Sequence, residues 1–307
     1  MVNAQNLEIT EESFLIAGIE RGLGSDNSKA GNLEVIATGT INLKDGGSIN
    51  NQILQDGSGQ GGDVIISAST LQIEGGANIG TGIQGKGRGG NLIVDAPEVQ
   101  IVGRESGLFA SAEPNSSGDA GDLLIRTNTL LLKDGAQIVN STFGEGKGGF
   151  LTINTNSLVS KNGSAVSVAT FGEGKGGSLT INAKDVQLIG ESKDGQLTGL
   201  FASAELDSLG DAGNLTINTN TLLLKDGAQI VNSTFDKGKG GFLKVNALDV
   251  QLIATSEDGQ FGSGLFASAS SIGDAGSLTI NTNNLLLKDG AQVSSSAFGS
   301  GKGGNFQ

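Results

Sequence analysis

The chain has 307 residues, of which 52 are Gly and 2 are Pro, and its 32 acidic and 19 basic residues give a net charge of −13. Abundant Gly without a Gly-X-Y period excludes collagen, and the scarcity of Pro is untypical of a disordered linker. The lack of Cys, His, Trp and Tyr removes disulfides, thiolate zinc sites and the usual base near neutral pH, while the acidic balance argues against a nucleic-acid partner.

The first residues show no recognisable signal peptide. Residues 1–12 carry no basic segment, and the apolar run Phe14–Ile19 is too short for a signal-peptide core. No stretch approaches the roughly 18 apolar residues that span a bilayer. From composition alone we therefore expect no membrane span and no cofactor or metal site.

A motif of Gly followed by x-Leu-x-Ile/Val, or a close variant, recurs along the whole chain. It begins at Gly31, Gly62, Gly90, Gly121, Gly149, Gly177, Gly213, Gly241, Gly276 and Gly304. Five of the nine intervals are 28 residues, and the others are 31 to 36. This spacing predicts one repeat array over 1–307, with a partial first coil in 1–30, nine coils in 31–304 and the start of a truncated coil in 305–307.

Each interval has the same internal pattern, which residues 213–241 illustrate. Leu215–Ile217 alternates as a half-buried strand does, Leu222–Leu224 begins a second strand, and Ala228–Val231 forms a third after the turn at 225–227. A single unit cannot bury its apolar side, so neighbouring units must stack. We therefore predict an all-β, right-handed parallel β-helix of about ten coils, each with 28–36 residues and three short strands. At about 4.8 Å per coil the rod is on the order of 50 Å long.

Two sets of side chains recur at the same position of successive coils. The aromatic set is Phe143, Phe171, Phe235 and Phe298, and the amide set is Asn154, Asn182, Asn218, Asn246 and Asn281. We expect the Phe set to form a ladder inside the rod, each ring contributing about 1.5–3 kcal/mol through burial; a platform for an aromatic ligand is the alternative. The Asn side chains are expected to bond to one another between coils, as in other stacked β structures, and to tolerate left-handed backbone.

The two longest coils break the repeat at the same corner, between the second and third strands. The insertions are Glu191–Thr198 and Thr255–Ser263, and a shorter one lies at Arg104–Ser106. Insertions in repeat proteins often mark a binding face, although long surface loops are also tolerated at little cost. The candidate binding residues are Glu191, Lys193, Asp194, Glu257, Asp258 and Phe261, and Phe261 is the first to test.

Three further motifs suggest chemistry but fit the repeat better. The pattern Gly-x-Gly-x-x-Gly at 144–149 precedes a predicted strand, whereas a dinucleotide loop must open a helix. The Asp56–Asp63 segment lacks the nine-residue period of calcium-binding repeats. Acidic residues mostly recur in register, as Asp134 and Asp226 do in Lys-Asp-Gly turns. We therefore expect no catalytic residues and no enzyme.

Several segments resemble the repeat region of large bacterial exoproteins of the filamentous-haemagglutinin type, especially the cyanobacterial ones. They are GDAGNLTINTNTLLLKDGAQI (210–230), STFGEGKGGFLTINT (141–155) and GLFASAEPNSSGDAG (107–121). The resemblance spans about Gly31 to Gly304 and implies a β-helix exported through an outer-membrane pore by two-partner secretion. It also implies surface attachment, with a glycan or a cell-surface protein as partner. Since no secretion domain is recognisable, the chain is expected to be an internal piece of a longer exoprotein or the product of a truncated reading frame.

The sequence therefore favours a secreted or cell-surface structural segment, a rigid stalk that displays corner loops for attachment. A carbohydrate-active β-helix enzyme, of the polysaccharide lyase or glycoside hydrolase type, is the second hypothesis, and an inert fragment is the third. The strand-like runs near both termini show no cap, so we also expect end-to-end self-association.

Overall fold

The computed structural model describes all 307 residues and contains β strands but no helix. Three parallel sheets of ten strands each run along the molecule, and every coil contributes one strand to each sheet. The chain is thus a parallel β-solenoid of about ten coils with three strands per coil, which confirms the predicted architecture. None of its elements is a helix long and apolar enough to cross a membrane.

The strands are short and regularly spaced. The first sheet contains Val2–Ala4, Leu33–Ala37, Val64–Ser67, Leu92–Asp95, Leu123–Arg126, Phe150–Asn154, Ser178–Asn182, Leu215–Asn218, Phe242–Asn246 and Ser277–Asn281. The second contains Leu7–Ile9, Thr40–Leu43, Thr70–Glu74, Glu98–Val102, Thr129–Lys133, Ser157–Lys161, Asp185–Ile189, Thr221–Lys225, Asp249–Ile253 and Asn284–Lys288. The third contains Phe14–Ile19, Ser48–Ile53, Asn78–Gly80, Gly107–Phe109, Gln137–Val139, Ala165–Ser167, Gly199–Phe201, Gln229–Val231, Gly264–Phe266 and Gln292–Ser294.

The first coil is more complete than the sequence suggested. Residues 1–30 contribute a strand to each of the three sheets, whereas we expected only a partial coil there. They also supply Gly24–Lys29, an edge strand of a small fourth sheet, in which Ser58–Gln60 lies in the centre and Lys86–Arg88 forms the other edge. These strands precede the first Gly of the repeat motif, so the motif did not mark them as a full coil, although Leu7–Ile9 is recognisable as a strand-like run. At the other end Phe306 already bridges to Leu278, in the position of a further strand of the first sheet.

The interior is filled by aliphatic side chains that stack in register. Leu215 and Ile217 point inward and are fully buried, while Thr216 between them points outward. Leu215 lies beside Leu179 of the preceding coil and Leu243 of the next. Since parallel strands lie about 4.8 Å apart, such columns form one continuous core of 51 buried residues.

The turns between second and third strands have the backbone that the Lys-Asp-Gly motif predicts. Asp226 and Gly227 both have positive φ, at 56° and 87°. Asp tolerates this conformation better than most residues, and Gly adopts it without strain. The Gly-rich corners have a different requirement, close approach of backbones: a Cβ on Gly213 would lie 1.5 Å from the carbonyl oxygen of Gly177. The corner at 144–149 leads into the strand Phe150–Asn154, so it opens no helix.

Buried polar side chains, which the sequence pattern did not reveal, donate hydrogen bonds to backbone carbonyl groups at these corners. Asn232 is fully buried, and its amide donates a hydrogen bond of 2.7 Å to the carbonyl oxygen of Gly213. Asn140 makes the same contact with Gly121 at 3.0 Å. The Thr234 hydroxyl donates to the Gly238 carbonyl at 3.0 Å. These bonds satisfy corner carbonyls that the sheets leave unpaired.

The predicted asparagine ladder is present on the outside of the first sheet. Each side-chain amide donates to the side-chain oxygen of the preceding Asn, from Asn182 to Asn154 through Asn281 to Asn246, at distances of 2.7–2.9 Å. None of these residues has positive φ. The ladder therefore forms in extended strands, because the residues end strands and do not form turns, and the tolerance of Asn for left-handed backbone is not used at these positions.

Candidate functional site

The inserted loops leave the rod where the sequence placed them, between the second and third sheets. One joins Asp185–Ile189 to Gly199–Phe201, and the other joins Asp249–Ile253 to Gly264–Phe266. Each folds back on itself through an antiparallel bridge, Glu191 with Leu197 in the first loop and Thr255 with Gly262 in the second. Both loops are therefore compact hairpin-like projections at one corner of the rod.

Two of the candidate binding residues already have partners within the inserted segments. The Asp258 carboxylate accepts hydrogen bonds from the Ser256 hydroxyl at 2.6 Å and from the backbone N–H of Gln260 at 2.9 Å. The Ser256 hydrogen bond is the main cause that lowers the pKa of Asp258. Asp194 likewise accepts a bond from Ser192 and forms an exposed ion pair with Arg104 of the short insertion. These carboxylates order the loops.

Of the other four candidate residues, only Phe261 lines a cavity with aromatic residues. Lys193 and Glu257 are exposed and Glu191 is half-buried, and none of the three lines a cavity with the aromatic residues. Phe261 does line one, together with Leu197 of the other loop. The two loops thus contribute to the lining of a depression of about 470 Å³, which we call the aromatic groove.

The outward face of the third sheet forms the base of the aromatic groove. Phe201 and Phe266 point outward there, and each ring lies over the Gly two residues earlier in its strand. A Cβ on Gly199 would lie 2.6 Å from the Phe201 ring, and one on Gly264 would lie 2.7 Å from the Phe266 ring. Glycine at both positions therefore lets the rings lie along the sheet surface.

Another part of the lining belongs to the predicted Phe ladder, which the structure places on the outside of the rod. Phe235 and Phe298 line the groove, and Phe298 is 74% exposed. Phe143 and Phe171 stack on each other, with ring centroids 4.6 Å apart and planes 7° apart, but Phe171 is 43% exposed. The register was right and the predicted burial was wrong, because the aliphatic columns already fill the interior.

Two glutamates occupy the same column as these rings, which we call the outer column. It consists of the residue after each corner bridge from Ala112 to Ala297, in the order Glu113, Phe143, Phe171, Glu205, Phe235, Ser270 and Phe298. Burial raises the pKa of both Glu113 and Glu205. Glu205 lies between Phe171 and Phe235 and lines the aromatic groove. The sequence analysis missed it, although aligning Ala204-Glu205 with Thr234-Phe235 would have revealed it.

The polar residues beneath the rings bond mainly to one another. The backbone amide of Ser268 donates to the Ser233 hydroxyl at 3.0 Å, and the Ser268 and Ser294 hydroxyls lie 3.2 Å apart. Gln229 donates its side-chain amide to the Gly262 carbonyl of the second loop at 3.2 Å. The groove consequently presents aromatic surface, one carboxyl group and several hydroxyls that already have partners, together with the Ser270 and Gln292 side chains, which make no hydrogen bond within the chain.

No group of three or more acidic side chains is arranged to hold a metal ion. No protein-family model, curated protein or solved structure matches this chain. The resemblance to filamentous-haemagglutinin-type repeats therefore rests on the quoted motifs, and the aromatic groove is the feature from which a function can be argued.

Proposed function

We propose that this chain is a secreted or cell-surface structural segment, a rigid β-helical stalk that attaches to a surface glycan or protein through the aromatic groove. Ten coils linked by continuous parallel sheets form a stiff scaffold. Such a scaffold holds its corner loops at fixed distances from one another, which suits the presentation of these loops to a binding partner. The motif resemblance supports export of the parent protein through an outer-membrane pore.

The observation that carries this proposal is the position of Phe261. Its loop breaks the 28-residue spacing, and the break places an aromatic side chain in the same groove as the rings of Phe235 and Phe266. Phe261 itself stays 37% exposed. Exposed apolar patches with polar rims commonly mark interaction sites, and clustered aromatic residues dominate the energy of such sites.

Attachment is tested with the intact chain on a glycan microarray and on immobilised cells. We expect binding that falls at least about tenfold in Phe261→Ala, since a central aromatic anchor commonly contributes about 2 kcal/mol or more. Phe150→Ala is the matched control because Phe150 is 66% exposed on the first sheet, away from the groove. Equal losses in both variants, or no binding to any surface, would contradict the proposal and favour an inert fragment.

Localisation needs a separate experiment. Protease treatment of intact source cells, followed by immunoblotting, should remove the protein if it lies on the outside. A periplasmic marker serves as the control for cell integrity. Protection of the chain until the cells are lysed would overturn the extracellular part of the proposal.

Glu205 favours one second candidate, a carbohydrate-active enzyme. A carboxyl group whose pKa is raised by burial in a groove is suited to act as a general acid. Glycoside hydrolysis commonly requires a second carboxylate, whereas Glu205 is the only acidic residue in the groove lining. New reducing ends from a polysaccharide panel, absent with Glu205→Gln, would establish this activity in place of simple attachment.

A further inference from the structure

The Glu205 carboxyl group has no compensating charge. None of the seven ion pairs in the structure includes it, and no Lys or Arg lines the aromatic groove. Its neighbours in the outer column are Phe171 and Phe235. A half-buried carboxylate without a cationic partner loses part of its solvation, so a ligand that brings a positive charge would stabilise its ionised form.

The walls of the groove restrict which cation fits. A primary ammonium has three N–H donors that each need an acceptor, but the Ser233 and Ser268 hydroxyls are already engaged with their neighbours. Five Phe rings supply most of the apolar lining, which otherwise contains Glu205 and uncharged polar side chains. A quaternary ammonium has no N–H group, and aromatic faces attract it through their quadrupoles.

We propose that the aromatic groove binds a small soluble quaternary ammonium cation, with its head against the Phe rings and its charge near Glu205. This inference names the ligand class of the site introduced above and rests on the groove being a binding surface. The acidic Glu257 and Asp258 of the second loop, together with the net charge of −13, add attraction for a cation. The same charges repel the phosphate of a lipid headgroup, which favours a free cation over a membrane surface.

Choline and 3,3-dimethyl-1-butanol provide a direct test, because they share their shape and differ in charge. Isothermal titration calorimetry with the full chain should show choline binding at least about tenfold tighter than its neutral analogue, a difference of about 1.4 kcal/mol. Equal affinities, or no binding of choline, would refute the ammonium assignment. Loss of attachment in Phe261→Ala could still be observed in that case, so the two proposals fail separately.

Variants locate the site. Glu205→Gln and Phe235→Ala should each weaken choline binding at least about tenfold. Glu113→Gln is the matched control: Glu113 occupies the same column and also has a raised pKa, but it does not line the groove. Equal weakening by both Gln variants would overturn the assignment, as would co-sedimentation with phosphatidylcholine vesicles that free choline does not compete away.

Discussion

The interior columns of the solenoid predict a large and local effect for Ile217→Ala. Ile217 is fully buried and lies between Ile181 and Val245 of the adjacent coils. The substitution removes three carbons, a transfer loss of about 2.4 kcal/mol at about 0.8 kcal/mol per group. Backbone hydrogen bonds to both neighbouring strands fix the spacing between coils. The cavity left by the substitution therefore cannot close, and it adds to this loss. We expect about 3–4 kcal/mol in total.

Hydrogen exchange followed by mass spectrometry is the suitable assay, since a repeat array need not unfold in one step. Protection should fall most in Leu215–Asn218 and in the flanking strands Ser178–Asn182 and Phe242–Asn246. Thr216→Ala is the matched control, because Thr216 points outward on the same strand; its effect should stay within about 0.5 kcal/mol. A loss below about 1 kcal/mol for Ile217→Ala, or similar losses for both variants, would refute stacked inward columns.

Four further measurements address other parts of the molecule. Phe171→Ala should cost about 1–1.5 kcal/mol in urea unfolding, because its ring is 43% exposed and stacks on Phe143; a loss of 3 kcal/mol or more, of the size expected for a buried ring, would contradict the outward position. Asn218→Ala leaves one acceptor and one donor of the ladder unpaired, so about 0.5–1.5 kcal/mol should be lost, and an unchanged urea midpoint would argue against the ladder. Burial raises the pKa of Glu113, so its folded form binds a proton more readily than its unfolded form, and stability should fall as pH rises from the ordinary pKa through the raised one. Glu113→Gln should remove that fall and stabilise the protein at neutral pH, as thermal melts across pH would show. A polypeptide of residues 1–307 leaves the inward-facing Leu285 44% exposed on its last three-stranded coil, so sedimentation velocity should reveal concentration-dependent association; a monomer at all concentrations would contradict end-to-end docking.

The recurring Gly-x-Leu-x-Ile motif was sufficient to predict the solenoid. Its period and the alternation within Leu215–Ile217 identify three strands per coil, because a unit of this size buries its apolar side only by stacking. The Asp-Gly turns and the asparagine ladder also follow from local chemistry. The first coil was underestimated because Val2–Ala4 precedes the first motif.

The aromatic groove could be predicted only in part. The insertions that contain Leu197 and Phe261 are visible as departures from the 28-residue spacing. Their convergence with Phe235 across several coils depends on the position and direction of each strand in the third sheet. Glu205 was missed because glutamate replaces phenylalanine in the outer column, so a search for recurring Phe residues passed over that position.

Sequence periodicity thus determined the repeat, the number of coils and the residues that share a column. It could not determine which columns face inward at the corner after the third strand, where Phe171 is on the surface and Asn232 is buried. Hydrophobicity alone favours the opposite arrangement. The tertiary structure reverses it because the corner carbonyls need internal hydrogen-bond donors, whereas the aliphatic columns leave no interior space for aromatic rings.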